Sequence, residues 1–202
     1  MRTEDNITYA NLTFSDSNYN KFNQPVTGVS YFEAEAYCNW LSEKTKEIIR
    51  LPTQHEWLSV LRHDGKRYPW GNKQPNTQVA NIIKERSANG AEMTLESLMR
   101  INTPSTFGAY PKGATKNNCH DLIGNVWEWV QDFLNEKERE EMISNCKNAN
   151  ELEELKHPSN CAKIVGGCSF DPPSRINERI VAVRFPGYRH YVIGFRTVII
   201  NS

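Results

Sequence analysis

Residues 121 to 130 read DLIGNVWEWV, a segment in which two tryptophans flank a glutamate. Trp127 and Trp129 are two residues apart, so in a β-strand both face one side of the sheet while Glu128 faces the other. The Gly124–Asn125 pair before them is typical of a tight backbone bend. The segment therefore predicts a bend and then a strand, with tryptophans in the core on one face and a carboxylate on the other.

Two helices are predicted upstream of this segment, and each begins at a capping box. Ser30 and Glu33 have the capping-box spacing, and the apolar residues behind them recur at helical intervals to about Glu47. Thr53 and Glu56 repeat the arrangement before a second, shorter apolar stripe. The sequence therefore places two capped helices in succession.

The remaining segments differ in pattern. Residues rich in β-branched side chains at 164–165, 180–183 and 195–200 predict strands. Residues 71–120 show little periodicity but are too apolar in places for disorder, so they predict a long ordered loop. Residues 135–159 are dense in charge and have only a narrow apolar stripe, which indicates a helical insertion on the surface.

The size and charge of the chain limit its function classes. It has 202 residues, enough for one domain with a substantial core, and a formal net charge of zero. A neutral chain gives no support for binding nucleic acid or an anionic membrane surface. No apolar run approaches the roughly 20 residues that span a bilayer, and the N-terminal residues lack a signal-peptide core. We therefore expect a cytoplasmic protein whose partners are neither nucleic acids nor membranes.

The cysteines predict thiols rather than a disulfide framework. They are Cys38, Cys119, Cys146, Cys161 and Cys168. Their number is odd and no CxxC motif occurs, so the spacing fits neither a zinc ribbon nor a compact set of disulfides. We expect the thiols to be reduced and mostly buried.

Seven segments carry motifs that point to a known family. They are PVTGVSYFEAEAYCNWLS (25–42), RLPTQHEWLSVLR (50–62), YPWGN (68–72), ANI (80–82), DLIGNVWEWVQD (121–132), VGGCSF (165–170) and GFR (194–196). Together and in this order, over about residues 25 to 200, they resemble the formylglycine-generating enzyme family, also called the sulfatase-modifying-factor domain. The resemblance implies an α+β, C-type-lectin-like fold with two helices around a small twisted antiparallel sheet and much irregular coil.

The resemblance also implies the domain organisation. One formylglycine-generating-enzyme-like domain would cover residues 25–202, with the charged insertion at about 135–159. Residues 1–24 are polar and show none of the family's usual first-strand motif, so they form either an N-terminal arm or a divergent first strand. A sheet edge left unpaired at that position would need cover or a partner.

A calcium ion is implied at the DLIGNVWEW segment. Its ligands would be the side chains of Asp121 and Glu128 and the backbone carbonyls of Gly124 and Val126. Calcium takes six to eight oxygen ligands, which carbonyls from a tight bend and flanking carboxylates can supply. The alternative is a Glu128 that is simply hydrogen-bonded within the coil. A second family calcium site would begin at Asn81, but its other half has no clear counterpart in the sequence that follows.

The catalytic groups of the family are not recognisable in this chain. In the enzymes, two cysteines five residues apart bind copper(I), whereas the corresponding residues here, 171–184, contain no cysteine. Cys168 stands where the family commonly has serine. The related sulfoxide synthases bind iron through an HxxxHxE-type helix, which this sequence also lacks. We therefore expect neither copper nor iron as a cofactor.

The C-terminal part of the chain is rich in contact-forming residues. Tyrosine and arginine dominate binding hot spots, and the same region is the binding face of the retroelement-diversified variable proteins that share this fold. The candidate ligand-binding residues are Arg175, Asn177, Arg179, Arg184, Tyr188, Arg189, His190 and Tyr191. The sequence therefore predicts a non-catalytic module that binds a protein or another macromolecule through its C-terminal face.

Three alternatives stay open. In the first, these residues are ordinary strand and loop surface. In the second, the chain is a divergent enzyme of the family with altered chemistry, in which Cys168 acts as a nucleophile. In the third, it is an accessory or scaffold domain of a larger assembly, or it self-associates.

Overall fold

The structure is a computed structural model, and it describes residues 17–62, 65–83, 103–145, 155, 161–169, 171–178 and 180–200. The helices are α1 (Tyr31–Thr45), α2 (Gln54–Leu61), α3 (Glu136–Asn145) and α4 (Pro173–Glu178), with a 3₁₀ turn at Pro111–Gly113. The strands are β1 (Ile48–Arg50), β2 (Trp127–Phe133), β3 (Ala162–Val165), β4 (Val181–Arg184), β5 (Ile193–Phe195) and β6 (Val198–Ile200). Most of residues 1–24, the candidate arm or first strand, lie outside the described residues.

Both predicted capping boxes are present and set the starts of α1 and α2. The Ser30 hydroxyl accepts from the backbone N–H of Glu33, whose carboxylate accepts from the Ser30 N–H at 2.8 Å. Thr53 and Glu56 make the same reciprocal pair at 3.1 and 2.8 Å. Each box satisfies N–H groups that the first helical turn leaves without partners. Because these bonds are local, the sequence was sufficient to place both helix starts.

The strands form two small sheets. In the larger sheet the order is β4-β3-β2-β5, and the second sheet pairs β1 with β6. The pairs β2–β3, β3–β4 and β1–β6 are antiparallel, whereas β2 and β5 are parallel. The predicted α+β fold with a small sheet is confirmed, and the parallel pair is a feature that the sequence did not indicate.

The parallel pair has a consequence for the chain between β4 and β5. These two strands lie at opposite edges of the larger sheet and run in the same direction. Residues 185–192 must therefore cross from one edge to the other, and we call them the crossover loop. This loop carries four of the predicted ligand-binding residues, Tyr188, Arg189, His190 and Tyr191.

The two faces of the larger sheet follow the predicted alternation along β2. Trp127 and Trp129 are buried with Ile164 of β3 and with Ala34 and Cys38 of α1. The opposite face of β2 contributes Val130, which packs with Val165 and with Trp57 and Leu61 of α2. Glu128 lies on this second face and is 4% exposed. The strand prediction for residues 127–130 is therefore confirmed, including which side chains share a face.

The bend before β2 ties the described parts of the predicted long loop, residues 71–83 and 103–120, to the sheet. The side-chain oxygen of Asn125 accepts from the Asn81 amide at 3.0 Å and from the Ser105 backbone N–H at 2.7 Å. Gly124 has φ 76°, and a Cβ there would lie 2.5 Å from the carbonyl oxygen of Asn81. Only glycine fits this close backbone approach. The remaining half of a second calcium site beginning at Asn81 lies largely outside the described residues.

The charged insertion begins with a helix that lies on the surface. No residue of α3 is buried, as expected for a solvated helix. Met142 and Ile143 pack against a small cluster of Leu134, Leu155, Cys161 and Val183. The predicted helix is thus confirmed for Glu136–Asn145, and most of residues 146–159 lie outside the described part of the chain.

Two further predictions concern cysteines and membranes. Cys38, Cys119, Cys161 and Cys168 are thiols rather than disulfides, and all but Cys119 are buried. Cys146 is outside the described residues. Among the described helices, none has both the length and the apolar character needed to cross a bilayer.

Candidate binding cavity and the Glu128–Arg196 pair

A cavity of about 190 Å³ lies beneath the crossover loop, on the tryptophan face of the larger sheet. The sheet contributes apolar side chains to its wall, α4 and the segment before it contribute charged ones, and the crossover loop contributes aromatic rings. Its lining residues are Trp127, Ile164, Cys168, Asp171, Arg175, Arg184, Tyr188, His190, Tyr191, Val192 and Ile193. The cavity thus combines an apolar floor with a polar and aromatic rim, as ligand sites commonly do.

Five of the eight predicted ligand-binding residues line this cavity: Arg175, Arg184, Tyr188, His190 and Tyr191. Arg189 does not, because its guanidinium is turned away to pair with Glu33 of α1. Asn177 belongs to α4, and Arg179 lies outside the described residues. The structure therefore brings most of the candidate set to one place.

The charged side chains that line the cavity contact neighbouring protein groups. The Arg184 guanidinium lies over the Tyr188 ring, 5.8 Å from its centroid, and donates to the Val183 carbonyl at 2.7 Å. Such a contact of guanidinium and ring fixes both groups. Asp171 is 2% exposed, and its carboxylate accepts from the Cys168 backbone N–H at 2.9 Å and pairs with Arg175 at 3.2 Å.

The aromatic side chains of the crossover loop form a stack around His190. Its ring lies 4.1 Å from that of Tyr191 and 6.0 Å from that of Tyr188. Tyr19 meets Tyr191 edge-on at 5.7 Å, so the stack is also braced by the N-terminal segment. Burial, together with the charge of Arg184, lowers the pKa of His190 to about 4. The imidazole is therefore neutral at pH 7.

Glu128 faces a guanidinium on the opposite side of the sheet. Nε and Nη2 of Arg196 donate to its two carboxylate oxygens, each at 2.5 Å, and the Trp57 indole donates to one of them at 3.0 Å. Burial alone would lower the pKa of Arg196, but the Glu128 carboxylate raises it above its ordinary value. The Arg196 guanidinium is therefore held in its charged form beside Glu128.

Two of the four predicted calcium ligands, the carboxylates of Asp121 and Glu128, have protein partners in this arrangement. Both oxygens of Glu128 face Arg196, and the Asp121 carboxylate accepts instead from the Gly108 backbone N–H at 3.3 Å. A calcium ion among these four ligands would lie beside a guanidinium, which like-charge repulsion disfavours. Among the described residues, no three His, Cys, Asp or Glu side chains converge as they would around a metal. Calcium binding at this segment stays a prediction.

Several residues of these sites were not identified from sequence. Trp127 and Asp171 line the cavity, although the sequence indicates Trp127 only as core and gives no signal for Asp171. Arg196, the partner of Glu128, belongs to the GFR motif. The motif marks this arginine in the sequence, but it does not indicate with which carboxylate the guanidinium pairs.

Solved structures with the same fold include PvdO from Pseudomonas aeruginosa, with a TM-score of 0.60 and 21% identity over 89% of this chain and 63% of that one. Treponema denticola variable protein 1 superposes with a TM-score of 0.56 and 15% identity over 87% of this chain and 70% of that one. At this identity the likeness concerns the fold alone.

Curated relatives align with about half of the chain. A hercynine oxygenase of Mycobacterium tuberculosis is 37% identical over 116 residues, 55% of this chain and 22% of the relative. An inactive C-alpha-formylglycine-generating enzyme 2 of Bos taurus is 37% identical over 113 residues, 54% of this chain and 33% of the relative. The chain thus spans a third or less of these relatives' length.

The family model of the sulfatase-modifying factor enzyme 1-like domain matches residues 7–200, nearly the whole sequence. This match agrees with the order of the seven motifs and with the two capped helices beside a small mixed sheet. The chain therefore belongs to the sulfatase-modifying factor enzyme 1-like, or formylglycine-generating-enzyme-like, domain family.

Proposed function

We propose that this chain is a non-catalytic binding module that holds a protein partner at the cavity under the crossover loop. The observation that carries the proposal is the convergence of five contact-forming side chains on one cavity of about 190 Å³. A cavity of this size accommodates one or two side chains of a partner, while the surrounding rim contacts its surface. Aromatic and arginine anchors in such pockets supply most of the binding energy in protein interfaces.

The chemistry of the C-terminal segment supports binding over oxidation. Residues 171–184 contain no cysteine, so Cys168 has no second thiol at the spacing that two-thiolate copper(I) coordination requires. An inactive formylglycine-generating enzyme among the relatives is consistent with this fold persisting without that chemistry. The likeness in fold to a Treponema variable protein is consistent with a C-terminal binding face and with a retroelement-diversified origin.

The proposal is tested by mutating the cavity and measuring affinity for a defined partner. The partner is first identified by affinity capture, purified, and titrated by calorimetry against wild type, Tyr188→Ala and Arg184→Gln. Truncating a hot-spot side chain that contributes at least about 2 kcal/mol to the binding free energy weakens binding about 30-fold or more. Phe22→Ala is the matched aromatic control, because Phe22 is 96% exposed and does not line the cavity.

Two results would overturn the proposal. One is a partner whose affinity is the same for the wild type, Tyr188→Ala and Arg184→Gln proteins. The other is stoichiometric copper(I) uptake by the purified chain with conversion of a cysteine peptide to an aldehyde.

A second candidate function is a divergent enzyme that uses Cys168. The observation that favours it is the position of Cys168 in the lining of the cavity, to which Asp171 and His190 also contribute. A reactive cysteine requires exposure and a stabilised thiolate. Alkylation with iodoacetamide at neutral pH, followed by mass mapping, would support this function if Cys168 reacted well before Cys38, which is buried outside the cavity. Light scattering tests the remaining alternative of a self-associating scaffold.

A further inference from the structure

A single guanidinium connects the bend before β2 with the chain after β5. Besides the carboxylate of Glu128, Arg196 contacts the backbone carbonyl oxygens of His120 at 3.2 Å and Asp121 at 3.4 Å through Nη2. Its Nη1 lies 3.1 Å from the sulfur of Cys119. The guanidinium thus has four oxygen neighbours, two from a carboxylate and two from the backbone.

These oxygens are of the kinds that hard divalent cations prefer, since calcium binds carboxylates and backbone carbonyls. We infer that the guanidinium of Arg196 takes the place of a calcium ion beside Glu128, so that the chain supplies its own cation at this position. Glu128 is then an ion-pair partner in the native state rather than a metal ligand. This inference concerns the sheet face opposite the cavity and does not depend on the proposed function.

The register of the sheet explains why Arg196 reaches this position. In the parallel pair, Gly194 lies opposite Glu128 and Phe195 opposite Trp129. Arg196 follows immediately after β5, so its side chain extends along the face on which Glu128 lies. Gly194 permits this placement, because a Cβ there would lie 2.5 Å from the Val26 carbonyl oxygen and would push β5 outwards.

The Glu128 carboxylate cannot serve both cations at once. Its side chain is 5% exposed, and its oxygens already accept from Arg196 and from the Trp57 indole. A calcium ion bound to these oxygens would lie within contact distance of the guanidinium, and two cations that close repel each other, so calcium could bind only if the guanidinium left. Removing the guanidinium should therefore leave a negatively charged, oxygen-lined position that a divalent cation can occupy.

The test measures thermal unfolding in millimolar calcium and in the chelator EGTA. We expect the Tm of the wild type to be the same in both solutions within about 1 °C, because its internal cation cannot be removed. Arg196→Met should unfold at a lower temperature in EGTA and recover by about 5 °C or more when calcium exceeds its Kd about 100-fold. Terbium supplies a second readout, since Trp57 beside Glu128 would sensitise its luminescence in the variant but not in the wild type.

Arg50→Met is the matched control. Arg50 also donates through two nitrogens to one carboxylate, that of Glu56, at 2.8 and 2.7 Å. Its replacement should lower the Tm without creating a response to calcium, because that pair is a surface contact at the start of α2.

Three outcomes would overturn the inference. One is a calcium-dependent rise in the Tm of the wild type that Glu128→Gln abolishes. Another is terbium luminescence from the wild type that Glu128→Gln abolishes, and this result is decisive even where Arg196→Met does not fold. The third is a folded Arg196→Met protein whose Tm and terbium luminescence do not respond to the metal.

Discussion

Arg189 and Glu33 form a two-point ion pair that attaches the crossover loop to the start of α1. Nε and Nη2 of Arg189 donate to the two carboxylate oxygens of Glu33 at 2.8 and 2.6 Å. The same carboxylate caps the helix by accepting from the Ser30 N–H at 2.8 Å. Next to it, the Tyr31 N–H donates to the Pro186 carbonyl at 2.9 Å. One carboxylate therefore fixes both the helix N-terminus and the loop that carries the tyrosines of the cavity.

Arg189→Gln should loosen the crossover loop while changing global stability little. The Glu33 side chain is 46% exposed, so the pair contributes about 0.5 to 1 kcal/mol to the free energy of unfolding. Glu33→Gln is a suitable second variant, because glutamine at this helix position can keep the cap. Urea unfolding of both single variants and of the double variant gives the coupling energy directly. A coupling of zero would show that the pair adds nothing to stability.

Arg189→Gln also tests whether Arg189 contacts the binding partner or only positions the crossover loop. Since Arg189 points to α1 rather than into the cavity, Arg189→Gln should weaken partner binding less than Tyr188→Ala. Calorimetry with the purified partner compares the two affinities. Equal losses would mean that Arg189 leaves Glu33 and contacts the partner.

Local patterns made the helices and the faces of β2 predictable. Ser30 with Glu33 and Thr53 with Glu56 are capping boxes whose bonds span three residues, so no tertiary information was needed. The alternation of Trp127 with its neighbour likewise depends only on strand geometry. These elements follow from interactions that are close in sequence, and the structure confirms them.

Contacts between distant parts of the chain were not predictable in the same way. Glu33 meets a residue 156 positions away, and Glu128 meets one 68 positions away. The assignment of Arg189 to the binding set used its residue type, while its actual partner depends on how the crossover loop returns over α1. The parallel pairing of β2 with β5, which places Arg196, is likewise a property of the whole topology.

Thr53→Ala should destabilise the fold by about 1 kcal/mol through loss of the α2 cap. The Thr53 hydroxyl accepts from the Glu56 N–H at 3.1 Å, and alanine leaves this N–H without its partner. Thr53→Ser keeps the oxygen and should cost only a few tenths of a kcal/mol. Chemical denaturation monitored by tryptophan fluorescence measures both variants, and an equal loss for serine and alanine would contradict a capping role.

Lys163 and Glu138 attach the charged helix α3 to the sheet, and replacing them singly should have unequal effects. The Lys163 Nζ lies 2.7 Å from Glu138 Oε1, and the lysine side chain is only 9% exposed. Glu138→Gln leaves a buried ammonium without its counter-charge and should cost about 2 kcal/mol, since Glu138 is itself partly in water. Lys163→Met leaves only an accessible carboxylate and should cost less.

Combining the two changes provides the control. The double variant Lys163→Met with Glu138→Gln should be more stable than Glu138→Gln alone, because the buried charge is gone. Guanidinium unfolding at constant ionic strength measures all four proteins. If the double variant loses the sum of the two single costs, the ammonium of Lys163 is solvated rather than dependent on Glu138.

His190 should make the protein less stable in mild acid. The pKa of its imidazole falls from an ordinary 6.5 to about 4 on folding, because burial and the Arg184 charge disfavour the protonated form. Between these two values the unfolded chain therefore binds more protons than the folded one. The contribution of the neutral His190 imidazole to the free energy of unfolding is therefore fully present above pH 6.5 and is lost as the pH falls towards 4. By linkage, the free energy of unfolding drops by about 2 kcal/mol between pH 7 and pH 5 from this residue alone.

Urea unfolding at pH 7 and pH 5 tests this effect when the wild type is compared with His190→Gln. Glutamine does not titrate in this range, so the variant should lose about 2 kcal/mol less than the wild type over the same pH interval. His55→Gln is the matched control, because His55 is exposed on α2 and does not line the cavity. If wild type and His190→Gln lost equal stability, the imidazole of His190 would be protonated in the folded cavity, and its rim would carry an additional positive charge at pH 5.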